Sequence, residues 1–158
     1  MRFTLFVITL FFSGIVSAQQ ERDTLLKHCP VFIRDTVSLN NYFFETQPAT
    51  LKVYRVKGRL TIEIKQRDQY FTIFFKTNDL KNTSYKIFKG ATRKYEAEAK
   101  YSFRFGEQIS YLDIRSGTIE CTFDEEKDMW HLKLNGMIAN LVERTISYFI
   151  VRAELYFR

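Results

Sequence analysis

Apolar and polar side chains alternate along most of this 158-residue chain, and that alternation limits the fold more than any other feature. It is regular from Leu60 to Ile64 and again from Trp130 to Leu134. A period of two places successive side chains on opposite faces of a β-strand. Turn-forming pairs such as Lys57-Gly58 and Ser116-Gly117 separate the alternating runs. The pattern predicts an all-β fold of about nine antiparallel strands.

Two architectures accommodate so many short strands in one domain. Residues 19–158 fit a single antiparallel β-sandwich, and the alternative is a small closed β-barrel of the calycin-like kind. In the barrel, Tyr70 to Phe75 and the pair Phe103 and Phe105 would line the interior. Asn135-Gly136 is the strongest two-residue hairpin signal in the chain, so we expect a turn there.

Three segments have less regular patterns. Gln19 to Lys27 is mainly polar, which predicts a loose lead-in to the domain. Tyr42 to Glu45 is predicted as a short strand. Ala91 to Ala99 is rich in helix-forming residues, but the alternation that follows it predicts a strand from about Tyr95, with one helical turn as the alternative.

Residues 1–18 have the composition of a secretory signal peptide. Arg2 precedes an apolar run from Phe3 to Phe12, and Val16-Ser17-Ala18 ends in the small residues that a signal peptidase recognises. The apolar run is too short to span a bilayer. We expect an exported protein, periplasmic or extracellular, whose mature chain begins at Gln19 and contains no membrane-spanning helix. An outer-membrane β-barrel is a less favoured third possibility, because both faces of the last strand are mainly apolar.

The charge of the chain is positive but dispersed. Removal of the leader lowers the formal net charge from +6 to +5, because Arg2 is its only charged side chain. Excess positive charge attracts nucleic acids, anionic lipids or acidic glycans. Here the charges stand singly among apolar residues, as from Lys52 to Lys57, and no block of five or six like charges occurs. This pattern indicates solvated strand faces and no nucleic-acid partner.

Two cysteines, Cys29 and Cys121, are present. Export would place them in an oxidising compartment, where an even count favours a disulfide. The alternative is two separate buried thiols, which behave as small apolar side chains. We expect a Cys29–Cys121 disulfide that joins the start of the domain to a late strand.

The sequence contains no recognisable catalytic or metal-binding motif. Neither histidine has the spacing of a catalytic or zinc motif. His28 lies in the polar lead-in, and His131 alternates out of phase with its apolar neighbours Trp130 and Leu132, so we expect it to face solvent. The acidic run from Asp124 to Asp128 lacks the glycine and the oxygen spacing of a calcium loop. We therefore expect no metal, no cofactor and no enzymatic activity.

A few side chains are candidates for contact with a ligand or for modification. Trp130, Leu132 and Leu134 are predicted to face the core; an exposed Trp130 would instead be a sugar-stacking residue, together with Tyr148 and Tyr156. Asp23-Thr24-Leu25 and Asp35-Thr36-Val37 are similar to a bacterial O-glycosylation signal, which makes Thr24 and Thr36 candidate acceptors.

The mature chain resembles small exported β-sandwich proteins of Gram-negative bacteria to which no activity is assigned. The leader that ends Ser-Ala-Gln-Gln, the segment from Ser116 to Phe123 and the aromatic C-terminal strand carry this resemblance. We expect a non-enzymatic binding or interaction module for a protein or glycan partner. The alternative is a small β-barrel that carries an apolar ligand.

Overall fold

The computed structural model describes residues 22–142 and 144–158, so the predicted leader and cleavage site lie outside the described residues. The described chain is all-β, as the alternation predicts, and contains eleven strands. Their bounds are β1 Arg22–Leu26, β2 Val31–Asp35, β3 Ala49–Val56, β4 Arg59–Gln66, β5 Gln69–Phe75, β6 Thr83–Ile87, β7 Glu96–Phe105, β8 Gln108–Asp113, β9 Ser116–Asp124, β10 Met129–Val142 and β11 Thr145–Phe157. Within the described ranges, no helix has the length and apolar character needed to cross a membrane.

All eleven strands belong to one hydrogen-bonded sheet with the order β1-β3-β4-β5-β7-β6-β9-β10-β11-β2, and β8 pairs with β7 beside this path. Within the described chain β1 and β2, the two ends of the order, do not pair with each other. The sheet is therefore open, and the closed-barrel alternative is wrong. Its two halves enclose one apolar core, as in a β-sandwich.

Strand β7 is where the sheet branches. On one side, its residues Ala97 to Phe103 pair with β5. On the other side, Glu96 and Ala97 form a short parallel pairing with β6, and the segment from Lys100 onward pairs with β8. The two partners diverge around Glu98 and Ala99. This divergence leaves a notch at the branch point.

The predicted inward faces of the late strands are confirmed. Leu132 lies opposite Cys121 and Leu134 opposite Ile119, and all four side chains are buried. Trp130 lies opposite Phe123 at the end of this row and is only partly buried against the core. The alternation in β11 continues the same inward face from Phe149 to Phe157.

The Asn135-Gly136 hairpin prediction is wrong, because β10 continues straight through both residues. Gly136 lies opposite Gly117 in the β9–β10 register. A Cβ at Gly136 would lie 2.8 Å from Cγ2 of Ile114. The glycine is therefore needed for close packing, and the chain reverses later, at Arg144, which has a φ of 70°.

Two other local predictions are also wrong. Arg22–Leu26 of the expected lead-in forms β1, which pairs antiparallel with β3. This strand lies at the edge of the sheet, where polar side chains face solvent on both sides and the apolar alternation is lost. The Tyr42–Glu45 segment is not a strand; it belongs to the loop after β2, which contacts that strand through the isolated bridge between Arg34 and Asn41.

The expected disulfide is not formed: Cys29 and Cys121 are both free, buried thiols. Cys29 precedes β2, and Cys121 lies on β9, with β10 and β11 between them in the sheet. Three strand spacings amount to about 14 Å. Cysteines whose Cα atoms are more than about 7 Å apart are not bridged without backbone movement. The sequence did not reveal this separation, because it does not show the strand order.

Candidate functional site

A small cleft with aromatic walls lies between the two halves of the sheet. Its volume is about 130 Å³. The lining side chains are Ile33, Tyr42, Tyr101, Phe103, Leu112, Ile138, Asn140 and Phe149. We call this site the aromatic cleft. Pockets that are mainly apolar and contain a few polar groups are the usual binding sites for small organic ligands.

The walls of the aromatic cleft are two cross-strand pairs, one from each half of the sheet. Tyr101 on β7 lies opposite Leu112 on β8. Ile138 on β10 lies opposite Phe149 on β11. Directly opposed side chains in an antiparallel pair point to the same side of the sheet. Each pair therefore presents a continuous apolar surface to the cleft.

Tyr42 connects the two walls. Its ring centroid lies 6.0 Å from that of Tyr101 and 5.6 Å from that of Phe149. Tyr42 itself is on the loop between β2 and β3 and remains partly exposed. Tilted and edge-to-face arrangements at such distances are favourable for aromatic pairs. The Tyr42 ring thus covers one side of the cleft.

Two glutamines of the β4–β5 hairpin hold this loop in place. The Gln66 side chain is buried, and its amide accepts a hydrogen bond from the Phe44 N–H at 2.8 Å and donates one to the Phe44 carbonyl at 2.9 Å. Gln69 donates to the Tyr42 carbonyl at 2.8 Å. The loop that carries Tyr42 is therefore fixed by side chains of the opposite half of the sheet.

The polar groups of the aromatic cleft are neutral. The Tyr101 hydroxyl donates to Oε1 of Gln69 at 2.7 Å. Burial raises the pKa of Tyr101 well above its ordinary value, and the nearby Tyr42 adds to this shift. Burial likewise raises the pKa of Tyr42, with a smaller contribution from Asp35. With Asn140 as the remaining polar lining residue, the site favours an uncharged group.

The apolar surface continues beyond the cleft. Phe105 lies on the same strand as Tyr101 and Phe103, with the same period of two, but is 83% exposed. It was expected inside a barrel. Because the sheet is open, the β7–β8 hairpin extends past the opposite half and leaves Phe105 uncovered.

The structure separates the three side chains proposed for ligand contact. Trp130 is on the inward face of β10, in edge-to-face contact with Phe123 at 5.3 Å. Tyr148 and Tyr156 are on the outward face of β11. They are eight residues apart, which corresponds to about 27 Å along a strand. The three rings therefore do not form one sugar-stacking surface.

Tyr156 instead belongs to a surface cluster that the sequence did not predict. Its ring stacks on His131, with centroids 4.3 Å apart and planes 8° from parallel. Nε2 of His131 is 2.9 Å from Oε1 of Glu154. The ammonium of Lys127 lies 4.4 Å from the Tyr156 centroid. These contacts satisfy the histidine within a solvated strand face.

The two candidate acceptor threonines are both exposed. Thr24 lies within β1, opposite Leu51 of β3. The hydroxyl of Thr36 donates to the Tyr148 carbonyl at 3.0 Å, just after β2. Thr36 therefore has a structural partner, whereas Thr24 is on an edge strand of the sheet.

A wider but shallow concavity, with a volume of about 620 Å³, lies beside β2 and β11. Its charged side chains are Glu45, Lys133, Arg152 and Glu154, and Cys29 also lines it. Nζ of Lys133 is 3.4 Å from Oε1 of Glu154. This concavity is more open than the aromatic cleft, and Phe32 is the single aromatic residue of its described lining. Among residues 22–142 and 144–158, no group of three or more His, Cys, Asp or Glu side chains is arranged to hold a metal ion.

Part of the aromatic cleft could have been found from the sequence. The alternation of Tyr101, Phe103 and Phe105 marks one wall. Ile33 and Phe149 reach the site only through the strand order, and Tyr42 reaches it through the loop between β2 and β3. Comparison of the chain with protein-family models, with curated proteins and with solved structures gave no match.

Proposed function

We propose that this protein is an exported, non-enzymatic binding module that accepts a small apolar group of its ligand in the aromatic cleft. The observation that carries this proposal is the pair of apolar walls, Tyr101 with Leu112 and Ile138 with Phe149, linked by the Tyr42 ring. The proposal combines the expected binding module with the apolar ligand of the alternative interpretation. In this proposal the apolar group lies in a cleft of an open β-sandwich, whereas the alternative interpretation placed it inside a closed barrel.

The size of the cleft limits what it accepts. Its volume of about 130 Å³ is close to that of a dry protein cavity that binds benzene, roughly 150 Å³. A single aromatic ring or a short branched alkyl group fits, whereas a long acyl chain does not. The hydroxyl of Tyr101 and the amide of Asn140 are the groups that would orient a polar atom on the ligand.

A cavity-filling substitution tests the site. We expect indole and benzene to bind the native protein with millimolar or tighter affinity, and Ile138→Phe to weaken this binding at least tenfold because the new ring occupies the cleft. Ile150→Phe is the matched control, because Ile150 is on the outward face of β11 and 37% exposed. Ligand-observed NMR measures both. No binding to the native protein, or equal binding to the two variants, would refute the proposal.

Export requires a separate test. When the full chain is expressed in a Gram-negative host, we expect the protein in the periplasmic extract or the medium. Mass spectrometry should give an intact mass for a chain that begins at Gln19. A cytoplasmic protein that retains Met1 to Ala18 would contradict export and leave the cleft proposal unaffected.

A further inference from the structure

Two depressions meet on the outward side of β7, on the other face of the sheet from the aromatic cleft. One, of about 250 Å³, extends over β4, β5 and β7. The other, of about 200 Å³, is the notch at the branch point of the sheet. Glu98 and Lys100 line both depressions, and neither shares a residue with the aromatic cleft. We call the two together the basic groove.

Cations outnumber carboxylates in the basic groove. Its charged side chains are Lys57, Arg59, Lys76, Lys89, Glu98, Lys100 and Asp113. Five positive and two negative charges leave a net charge of +3. Since the whole 158-residue chain has a formal charge of +6, this small area has a large share of the excess. A concave surface with one predominant sign concentrates counter-ions of the other sign.

The carboxylates are held between lysines. Nζ of Lys76 is 3.0 Å from Oε1 of Glu98, and Nζ of Lys89 is 2.9 Å from Oδ2 of Asp113. Lys100 lies between them, with its Nζ 3.9 Å from Glu98 Oε2 and 3.9 Å from Asp113 Oδ1. The chain of contacts has three cations for two carboxylates. Each lysine has further N–H donors for an added anion.

Lys57 and Arg59 supply charge without a carboxylate partner. Both are exposed side chains at the β3–β4 turn, and neither forms an ion pair within residues 22–142 and 144–158. Both line the larger depression. An anionic ligand there would therefore have two cations available that no carboxylate already neutralises.

An aromatic side chain forms part of the groove between the charges. Phe74 is half-buried on the outward face of β5, and the ammonium of Lys100 lies 5.8 Å from its ring centroid. Phe88, 60% exposed, lines the notch. Sugar rings present C–H faces that pack on aromatic rings, while their hydroxyls need both donors and acceptors. The lysines and the carboxylates of the groove supply both.

We infer that the basic groove binds an acidic saccharide, with its carboxylate or sulfate groups on the lysines and Arg59. A nucleic acid fits less well, because its phosphates require a positive path along many residues. The positive path does not continue over the neighbouring row of this face, where Asp23, Lys52 and Glu63 alternate in sign. The span from β4 across β5 and β7 to the notch is about 14 Å. That length suits a short segment of a sugar chain.

Removal of the charges of Lys57 and Arg59 tests the inference. The probes are a heparin-derived hexasaccharide, an oligogalacturonate of six sugars, neutral maltohexaose and a single-stranded DNA 12-mer, each titrated calorimetrically at 0.15 M salt. We expect at least one acidic saccharide to bind, and Lys57→Asn with Arg59→Gln to weaken it five- to tenfold. Asn is chosen at position 57 because it tolerates the φ of 51° there.

The control variant removes the same charge elsewhere. Lys65→Gln with Lys133→Gln changes two exposed lysines outside the groove, and we expect less than a twofold effect. Equal weakening by both double variants would mean unspecific attraction and would overturn the inference. So would DNA or maltohexaose binding as tightly as the acidic saccharides, or no binding of either acidic saccharide at millimolar concentration. Because the groove and the cleft share no residue, none of these results bears on the indole and benzene experiment.

Discussion

Gly117 and Gly136 lie opposite each other in β9 and β10, and neither position has space for a Cβ atom. A Cβ on Gly117 would lie 2.2 Å from the carbonyl oxygen of Asn135 and 2.6 Å from Cα of Gly136. Gly117 also has a φ of 145°, in the region that L side chains rarely adopt. The backbone of β10 therefore occupies the space that a side chain at position 117 would need.

Gly117→Ala should lower the free energy of unfolding by at least about 3 kcal/mol, because the clash and the backbone strain add. Chemical denaturation measures the loss. Gly106→Ala is the matched control: Gly106 also has a positive φ, of 60°, but nothing lies within 4 Å of its Cβ position. That change should cost about 1 kcal/mol. Equal costs at the two positions would show that the backbone contact is not important.

Gln66→Leu should destabilise the protein by about 3 kcal/mol, because the Phe44 N–H and carbonyl lose their buried partner. The Phe44 amide should also exchange its hydrogen much faster, while amides in β4 keep their protection. Gln108→Leu, at an exposed position of β8, should stay within about 0.5 kcal/mol of the native protein. An unchanged exchange rate at Phe44 would mean that the loop does not depend on Gln66.

The regular strands could be predicted from the sequence because each has its own alternation. From Leu60 to Ile64, for example, the period of two is visible without knowledge of any neighbour. β1 could not be predicted in this way, because an edge strand has little apolar surface to bury. Asn135-Gly136 misled for a different reason: glycine permits both a tight turn and a close contact between strands, and only the position of Gly117 decides between them.

The candidate sites were less predictable than the strands. The aromatic cleft joins Tyr42 from a loop to Tyr101 and Phe149 from different halves of the sheet. No local sequence pattern indicates that these three residues lie close together. Likewise, Arg59 and Lys89 are thirty residues apart, and their common groove depends on the branch at β7. The sequence predicted solvated strand faces with dispersed positive charge. It did not predict that some of these side chains line a concave groove.

Leu132→Ala should cost more than Trp130→Ala, although tryptophan is the larger side chain. Leu132 is fully buried and its loss should cost about 4 kcal/mol. Trp130 is only partly buried, so we expect about 2 kcal/mol. A double-mutant cycle with Phe123→Ala should give a coupling of about 1 kcal/mol for the edge-to-face contact. A larger loss for Trp130 than for Leu132 would contradict the observed burial.

Both cysteines should be found as thiols. Protein isolated without reductant and then unfolded should react with two equivalents of a thiol reagent, whereas the folded protein should react slowly, because Cys29 and Cys121 are buried. Mass spectrometry after alkylation counts the labels. A Cys29–Cys121 disulfide in the purified protein would require a different strand order from the one described.

Stability should fall as the pH rises above 9, because of Cys121. Burial raises the pKa of its thiol from 9.0 to about 12. Below pH 9 the thiol keeps its proton in both the folded and the unfolded chain, so it contributes no pH dependence. Between pH 9 and 12 the unfolded chain loses this proton and the folded chain retains it. The free energy of unfolding therefore decreases, by up to about 1.4 kcal/mol per pH unit.

Tyr101 acts in the same direction at higher pH, because burial raises its pKa above the ordinary value of 10.0. Burial also raises the pKa of Cys29, so in the interval from pH 9 to 10 the decline comes from the two buried thiols together. Cys121→Ala should reduce the decline in that interval and leave the part that Cys29 contributes, as measured by urea unfolding at each pH. Ile119→Val, at a buried position of the same strand, should lower stability at every pH but keep the native slope. Equal slopes for the native protein and Cys121→Ala would show that the Cys121 thiol does not set the alkaline limit of stability.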